Sequence, residues 1–438
     1  MQAEIGGTLG LVWALPFAGL LLSIALAPLL APRAWHRHYG KIAALWGIAF
    51  VLPFAVVHGL PAASHAVLGA FFHEYLPFIA LLGTLYTVAG GVRLTGTLRG
   101  TPAVNTLLLL AGTLIASVIG TTGAAVLLIR PLIRANRQRR HVHHVFVFFI
   151  ILVANIGGAL SPLGDPPLFL GFLHGVPFFW PLRHLAAPTG VIAALLLAAF
   201  YAIDHHYHRA APAGDPWPLD EFEKIGIAGK GNLVLLLAVT AIVMMSGVWE
   251  PGVVLTLADI PLEGQQLLSI VLLLGVVLLS LRITAPAIRR ANHFTWAPMR
   301  EVAILFAAIF ATIIPAILIL HAKAAASGDA LGERGYFWAT GLLSAFLDNA
   351  PTYLLFFHLA GGDPAALTGP RAATLVAISA GAVFFGALTY IGNAPNFMIK
   401  AIVEEAGLTM PSFFGFMAWS AALLLPLFIA VTLLFLSR

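Results

Sequence analysis

Long apolar runs broken by short polar stretches set the pattern of this chain. Runs at 9–30, 185–203 and 412–436 match the roughly 20 residues that an α-helix needs to cross a hydrocarbon core. Continued along the sequence, the pattern predicts spans near 9–30, 42–60 and 75–92. A helical hairpin follows at 103–133, bent at "GTTG" (120–123), then a span interrupted by "SPLGDPP" (161–167) and a span near 185–203. Further on come spans near 232–249, 266–282 and 301–320, and a hairpin at 336–360 bent at "DNAP" (348–351). A span over 372–405, broken at "GNAPN" (392–396), and a last span at 412–436 complete the series. The hairpin limbs 336–347 and 350–360 would be only about 17–18 Å long at 1.5 Å per residue. That is short of a core about 30 Å thick, so this hairpin is expected to enter and leave on one side.

The pattern occurs twice. "GALSPLGDPPLF" (158–169) matches "GALTYIGNAPNF" (386–397) at an offset of 228, with Gly164-Asp165 on Gly392-Asn393. "SVIGTTGAAVLLI" (117–129) matches "SAFLDNAPTYLLF" (344–356) at an offset of 227, with Thr121-Thr122 on Asp348-Asn349. Glu74 and Glu301 share that offset. With five crossings in each half, an odd number, the halves lie in opposite orientations, the arrangement of inverted-repeat transporters. The expected organisation is a first inverted repeat at 1–210, a cytoplasmic linker at 211–231 and a second inverted repeat at 232–438. The fold class is therefore an all-α polytopic membrane protein, each repeat with five crossings, one re-entrant hairpin and one broken helix.

Composition agrees: 60% of residues are hydrophobic and 9% charged, against about 25% charged in soluble domains. There is no cysteine, which excludes disulfides and thiol catalysis. The net charge of +5 does not point to nucleic acid. The first run has no basic residue before it and is expected to be retained rather than cleaved. Loops 33–41, 93–102, 130–144, 204–231, 282–300 and 398–411 carry 18 of the 23 Lys and Arg. By the excess of basic residues in cytoplasmic loops, they are expected inside, with the N-terminus outside.

The breaks carry the chemistry. Pro166 and Pro167 remove two backbone donors, and Pro395 and Pro351 mark the matching break and hairpin tip in the second half. Irregular backbone at membrane depth survives only when enclosed by protein or lining a wet cavity. Two such breaks and two tips imply a polar site at the repeat interface; a channel would also use one, but paired inverted repeats with broken helices favour the alternating access of a secondary transporter. Asp165 and Asp348 have two readings. Each can be a helix N-cap. Their repeat mates Asn393 and Thr121, however, cap without charge, and a carboxylate at mid-membrane costs a few kcal/mol or more. The functional reading makes both aspartates proton and cation sites. Thr121, Thr122, Asn349, Asn393 and Asn155 then complete an oxygen shell together with carbonyls at Gly164 and Gly392.

Other polar groups read as structural. Glu74 and Glu301 open helices, where the dipole favours negative charge. His141, His143 and His144 share a solvated basic loop with Arg137, Arg139 and Arg140, and "DHHYH" (204–208) reads as a solvated turn. Arg130 snorkels. No Walker motif is present, so ATP hydrolysis is not expected of this chain, nor is other enzymatic activity.

"ANIGGALSPLGDPP" (154–167) resembles the N-x-G-G…P-x-G-D-P-P signature of the ion-transporter superfamily, and "FLDNAPT" (346–352) resembles its D-N-x-P hairpin tip. That superfamily holds NhaD-type sodium/proton antiporters, citrate and dicarboxylate symporters, and arsenite-efflux membrane subunits. The resemblance implies two inverted repeats, a homodimer in the lipid bilayer of the bacterial cytoplasmic (inner) membrane, and a substrate site that moves as a block against a scaffold. The dicarboxylate branch carries Ser-Asn-Thr triplets where this chain has Gly120-Thr121-Thr122 and Leu347-Asp348-Asn349, so the acids favour the cation antiporter branch. The expected activity is exchange of sodium or lithium for protons, with no cofactor besides the transported ions. A cation-coupled citrate or dicarboxylate symporter and an oxyanion-efflux subunit are the alternatives.

Overall fold

The computed structural model describes residues 9–209, 224–327 and 331–436. The first half runs α1 (Leu11–Leu30), α2 (Pro32–His58), α3 (Leu60–Ala89), α4 (Pro102–Ile119), α5 (Thr121–Asn136), α6 (His143–Leu152), α7 (Pro166–Leu173) and α8 (Trp180–Arg209). The second half repeats that order as α9 (Lys230–Ser246), α10 (Gly264–Ile283), α11 (Ala297–Ala322), α12 (Gly332–Phe346), α13 (Asn349–Leu359), α14 (Ala372–Phe385), α15 (Ala394–Glu405) and α16 (Phe413–Phe435). Among the described residues nine helices are long and apolar enough to cross a membrane. The protein is an all-α polytopic membrane protein. Most of the linker expected at 211–231 lies outside the described residues.

The two breaks share their local geometry. Asp165 (φ −137°, ψ 142°) and Asn393 (φ −152°, ψ 137°) hold the same extended conformation ahead of α7 and α15. The Ser161 hydroxyl donates to the Ser117 carbonyl, and Thr389, 228 residues later, donates to Ala345 (2.5 Å). Each hydroxyl then accepts from the backbone N–H two residues on, Leu163 or Ile391 (3.1 and 3.2 Å). Gly164 and Gly392 sit where a Cβ would lie 2.1 Å from the Gly158 carbonyl and 2.7 Å from the Gly386 carbonyl, so only glycine fits either break.

Two groups of helices pack around these breaks. α1, α2, α3, α9, α10 and α11 pack on one another, and α4–α8 pack with α12–α16. Within the second group α6 and α14 are the most enclosed: residues 144–159 and 377–390 are buried without interruption. Both are apolar on every face, as a helix surrounded by protein must be. The hairpins α4–α5 and α12–α13 turn at the breaks. Gly120 (φ 80°) provides the first turn in a conformation that costs glycine nothing. The Asp348 carboxylate provides the second by accepting from the Ala350 N–H (3.1 Å).

Basic loops share one face. β1 (Arg93–Thr95) pairs antiparallel with β2 (Gly226–Ala228). The Asn292 side chain donates to Gly90 and Val92, and Arg134 to Leu94. Trp35 donates to Glu301 (3.2 Å). These contacts join segments in or beside five of the six loops that the charge count groups together. A second strand pair, β3 (Val254–Leu257) with β4 (Ile260–Glu263), forms a hairpin before α10. Neither pair is expected from the apolar pattern.

Three expectations are corrected. Neither Glu74 nor Glu301 opens a helix: Glu301 lies in the second turn of α11, while α3 runs unbroken from Leu60, and a π-helical turn at Phe71–Tyr75 carries Glu74 just before Pro77, whose missing N–H suits such a slip in register. "DHHYH" is not a solvated turn but part of the last turns of α8, with Asp204 fully buried. The neighbouring basic loop is not wholly solvated either. Arg139 and His144 reach Asp204 at 2.5 and 2.8 Å, and Asn105 donates to it at 3.0 Å. Reciprocal bonds between Asn105 and Asn136 extend the cluster. It ties the base of the first hairpin to α6 and α8.

Candidate functional site

Asp165 is the hub of the buried polar region. It is 1% exposed. As the N-cap residue of α7 its backbone is placed to cap, yet its side chain accepts no helix N–H. The carboxylate instead accepts from three side chains on three other elements: Asn349 Nδ2 at 2.6 Å, Asn393 Nδ2 at 2.9 Å and Thr121 Oγ1 at 3.3 Å. Thr121 comes from the tip of the first hairpin and Asn349 from the tip of the second. Asn393 comes from the second break. The Thr121 N–H also donates to the Gly164 carbonyl (2.8 Å), which fastens the first tip to the first break.

The two aspartates differ. Asp348 caps α13, as the bland reading requires, and its side chain is half-buried at the rim of a cavity. Asp165 does not cap. Among the described residues no Lys, Arg or His forms an ion pair with it. A buried carboxylate with three neutral donors and no counter-ion keeps an electrostatic debt in a low-dielectric site. A bound cation or a proton would settle it.

The remaining predicted residues fall in two sets. Asn155 does not touch Asp165 and stands one step behind it: its Oδ1 accepts from Asn393 (3.3 Å), and its Nδ2 donates to Ile150 O and to Asn396 Oδ1, both 2.8 Å. Thr122, Gly164, Pro166 and Pro395 line the cavity, whereas Pro167 and Pro351 are buried in packing. Gly392 contributes its carbonyl near Gly386. The Oδ1 atom of Asn349 is buried without a partner, as a free ligand oxygen would be. Asn396, Ser161 and Thr389 were not singled out from the sequence. Asn396 stands in the quoted "GNAPN" but falls on Leu168 in the repeat, so comparing the halves passes it over.

The cavity holds about 550 Å³ and extends from Asp165 to Trp35, His36 and Thr295 on the basic face. Four carboxylates line it, those of Asp165, Asp348, Glu301 and Glu405, and no Lys or Arg is among its described lining residues. Much of the wall is apolar, as in pockets that take small solutes.

Comparison with known proteins then fixes the family. Residues 6–436 match the model of a family described as "Putative citrate transport". The chain belongs to that family. Over 356 residues it is also 26% identical to an uncharacterized transporter of Mycobacterium bovis (strain ATCC BAA-935 / AF2122/97), an alignment covering 75% of this chain and 78% of the relative. An uncharacterized transporter of Mycobacterium tuberculosis (strain ATCC 25618 / H37Rv) matches with the same figures. This member of the citrate-transport family is thus a multi-pass membrane transporter, similar in sequence to proteins named only as transporters.

Proposed function

We propose that the protein is a secondary antiporter that exchanges sodium or lithium for protons at Asp165. The observation that carries this reading is the buried carboxylate with three neutral donors and no counter-ion. In the low dielectric of a membrane interior it is occupied either by a cation or by a proton, and competition between them couples the two fluxes. Asp348 adds negative charge at the cavity rim. Asn349, Asn155 and Thr121 with the break carbonyls supply neutral oxygens to replace the ion's water.

In this reading the repeats are inverted, and the block of hairpins and broken helices alternates the site between the two sides. The basic face lies in the cytoplasm of a bacterial cell, with the N-terminus outside the inner membrane and two copies forming a dimer. The cavity then gives inward access.

A second reading has a specific support, the family description. Citrate coupled to a cation would fit a cavity of about 550 Å³, but four carboxylates and no Lys or Arg among the described lining residues would oppose a bare trianion. The cation would have to carry most of the charge compensation.

Proteoliposomes test both readings. Sodium, lithium, potassium and citrate are compared under imposed pH gradients. Sodium-dependent proton movement that citrate leaves unaffected supports exchange. Sodium-dependent citrate uptake without such movement replaces it with the second reading.

A further inference from the structure

We propose that Asn396 is a positioning residue that orients the Asn155 amide so that its carbonyl oxygen faces the cation. The inference rests on the sodium reading of the site. Asn396 lies in the first turn of α15, fully buried, and makes no contact with Asp165 among the bonds of that carboxylate.

Its orientation is dictated by its neighbours. Asn396 Nδ2 donates to the Gly386 carbonyl (2.8 Å) and the Thr389 carbonyl (2.9 Å). Carbonyls only accept, so the end of the amide that faces them has to be the NH₂ group. Oδ1 then lies on the opposite side, where it accepts from Asn155 Nδ2 at 2.8 Å. The other hydrogen of that Asn155 group goes to the Ile150 carbonyl at 2.8 Å. With both donors committed on one side, Asn155 Oδ1 points the other way.

That oxygen borders a space left open by Gly386. A Cβ placed on Gly386 would lie 3.1 Å from Asn155 Oδ1, 3.2 Å from the Gly392 carbonyl oxygen and 3.6 Å from Asn349 Nδ2, the nitrogen that donates to Asp165. Asn349 Oδ1 is the buried atom without a partner. Glycine at 386 leaves this space, walled by two oxygens and the Asn349 nitrogen, free of a side chain, beside the Asp165 hydrogen bonds. Turned the other way, Asn155 would present an NH₂ group, which repels a cation. The repeat mate of Asn396 is Leu168, so the device exists in the second break only.

The test is sodium-dependent thermal stabilisation of the purified full-length protein, with choline chloride at equal ionic strength as the reference. Wild type, Asn396→Leu, Asn155→Ala and the double variant form a mutant cycle. Asn396→Leu should weaken apparent sodium affinity tenfold or more. In the Asn155→Ala background it should change affinity less than twofold, because Asn396 acts through Asn155. A merely structural Asn396 would lower the melting temperature in choline without this coupling. Equal sodium affinity in Asn396→Leu and wild type, or full additivity in the cycle, overturns the proposal while leaving the sodium reading in place. No sodium response in wild type overturns the reading and this inference with it. Should Asn396→Leu fail to accumulate, Asn396→Ser, smaller and polar, takes its place in the same cycle with the same criteria.

Discussion

Replacing Asp165 by Asn separates its charge from its shape. The side chains are nearly isosteric, and α7 loses no cap, because the Asp165 carboxylate accepts no helix N–H. Two effects on stability oppose each other. The oxygens now accept from Asn349, Asn393 and Thr121, and in the variant one of them becomes an NH₂ facing another NH₂. Hydrogen bonds to a charged group are worth about 1.5–3 kcal/mol each. Against that, removing an uncompensated buried charge recovers several kcal/mol. The melting temperature should therefore change little or rise. Cation binding has no such offset. A unit charge about 4 Å from a sodium ion contributes roughly 4 kcal/mol at an effective dielectric constant near 20, which is about a thousandfold in affinity. The assay is sodium-induced collapse of a pre-formed proton gradient in everted vesicles, alongside sodium-dependent melting of the purified protein. Collapse should be lost and sodium stabilisation should vanish, with wild-type amounts of protein in the membrane. Sodium affinity within tenfold of wild type, or collapse at the wild-type rate, would refute the assignment of Asp165 as the cation and proton site.

Asp348→Asn keeps its cap on Ala350, since Asn caps as well as Asp; sodium affinity should fall about tenfold, less than for Asp165→Asn, because the side chain is only half-buried where Asp165 is fully buried, and sodium titration of melting temperature checks this. Asp204→Ala leaves Arg139 and His144 without their buried partner, a loss of about 3–5 kcal/mol; a marked drop in melting temperature with an unchanged sodium-to-lithium preference is the expected result. Gly164→Ala should abolish accumulation of folded protein because its Cβ would meet the Gly158 carbonyl at 2.1 Å, whereas Gly190→Ala, with nothing within 4 Å, should express normally; size-exclusion profiles of tagged variants compare the two.

The breaks were legible because proline, glycine and acid residues contradict the apolar run around them, and because the contradiction recurs at a fixed offset. Thr121, Asn349 and Asn393 stand at those breaks, and all three meet Asp165. What stayed hidden depends on partners remote in sequence. Asp204 looks like any acid beside histidines at a helix end until Arg139, 65 residues before it, folds against it. Asn396 has an apolar mate, so symmetry argues against noticing it. The continuity of α3 through Glu74 was illegible for another reason. Glu74 opens an apolar run, which reads as the start of a helix, whereas a π-helical turn carries a helix already under way past it.

The separation between Asp165 and its partners also bears on how the protein is made. Asn349 follows it by 184 residues and Asn393 by 228. At a synthesis rate of about 5–20 residues per second, the last donor emerges roughly 10–50 seconds after the carboxylate. Throughout that interval the nascent first half carries an acid in a helix break that nothing from its own half, apart from Thr121, can satisfy. It therefore has to wait in a wetter setting than its final one, at the insertion machinery or against the headgroups. A chain arrested before the second hairpin tip is left with its buried-site carboxylate short of two of its three donors, so the first half alone cannot close its own polar centre.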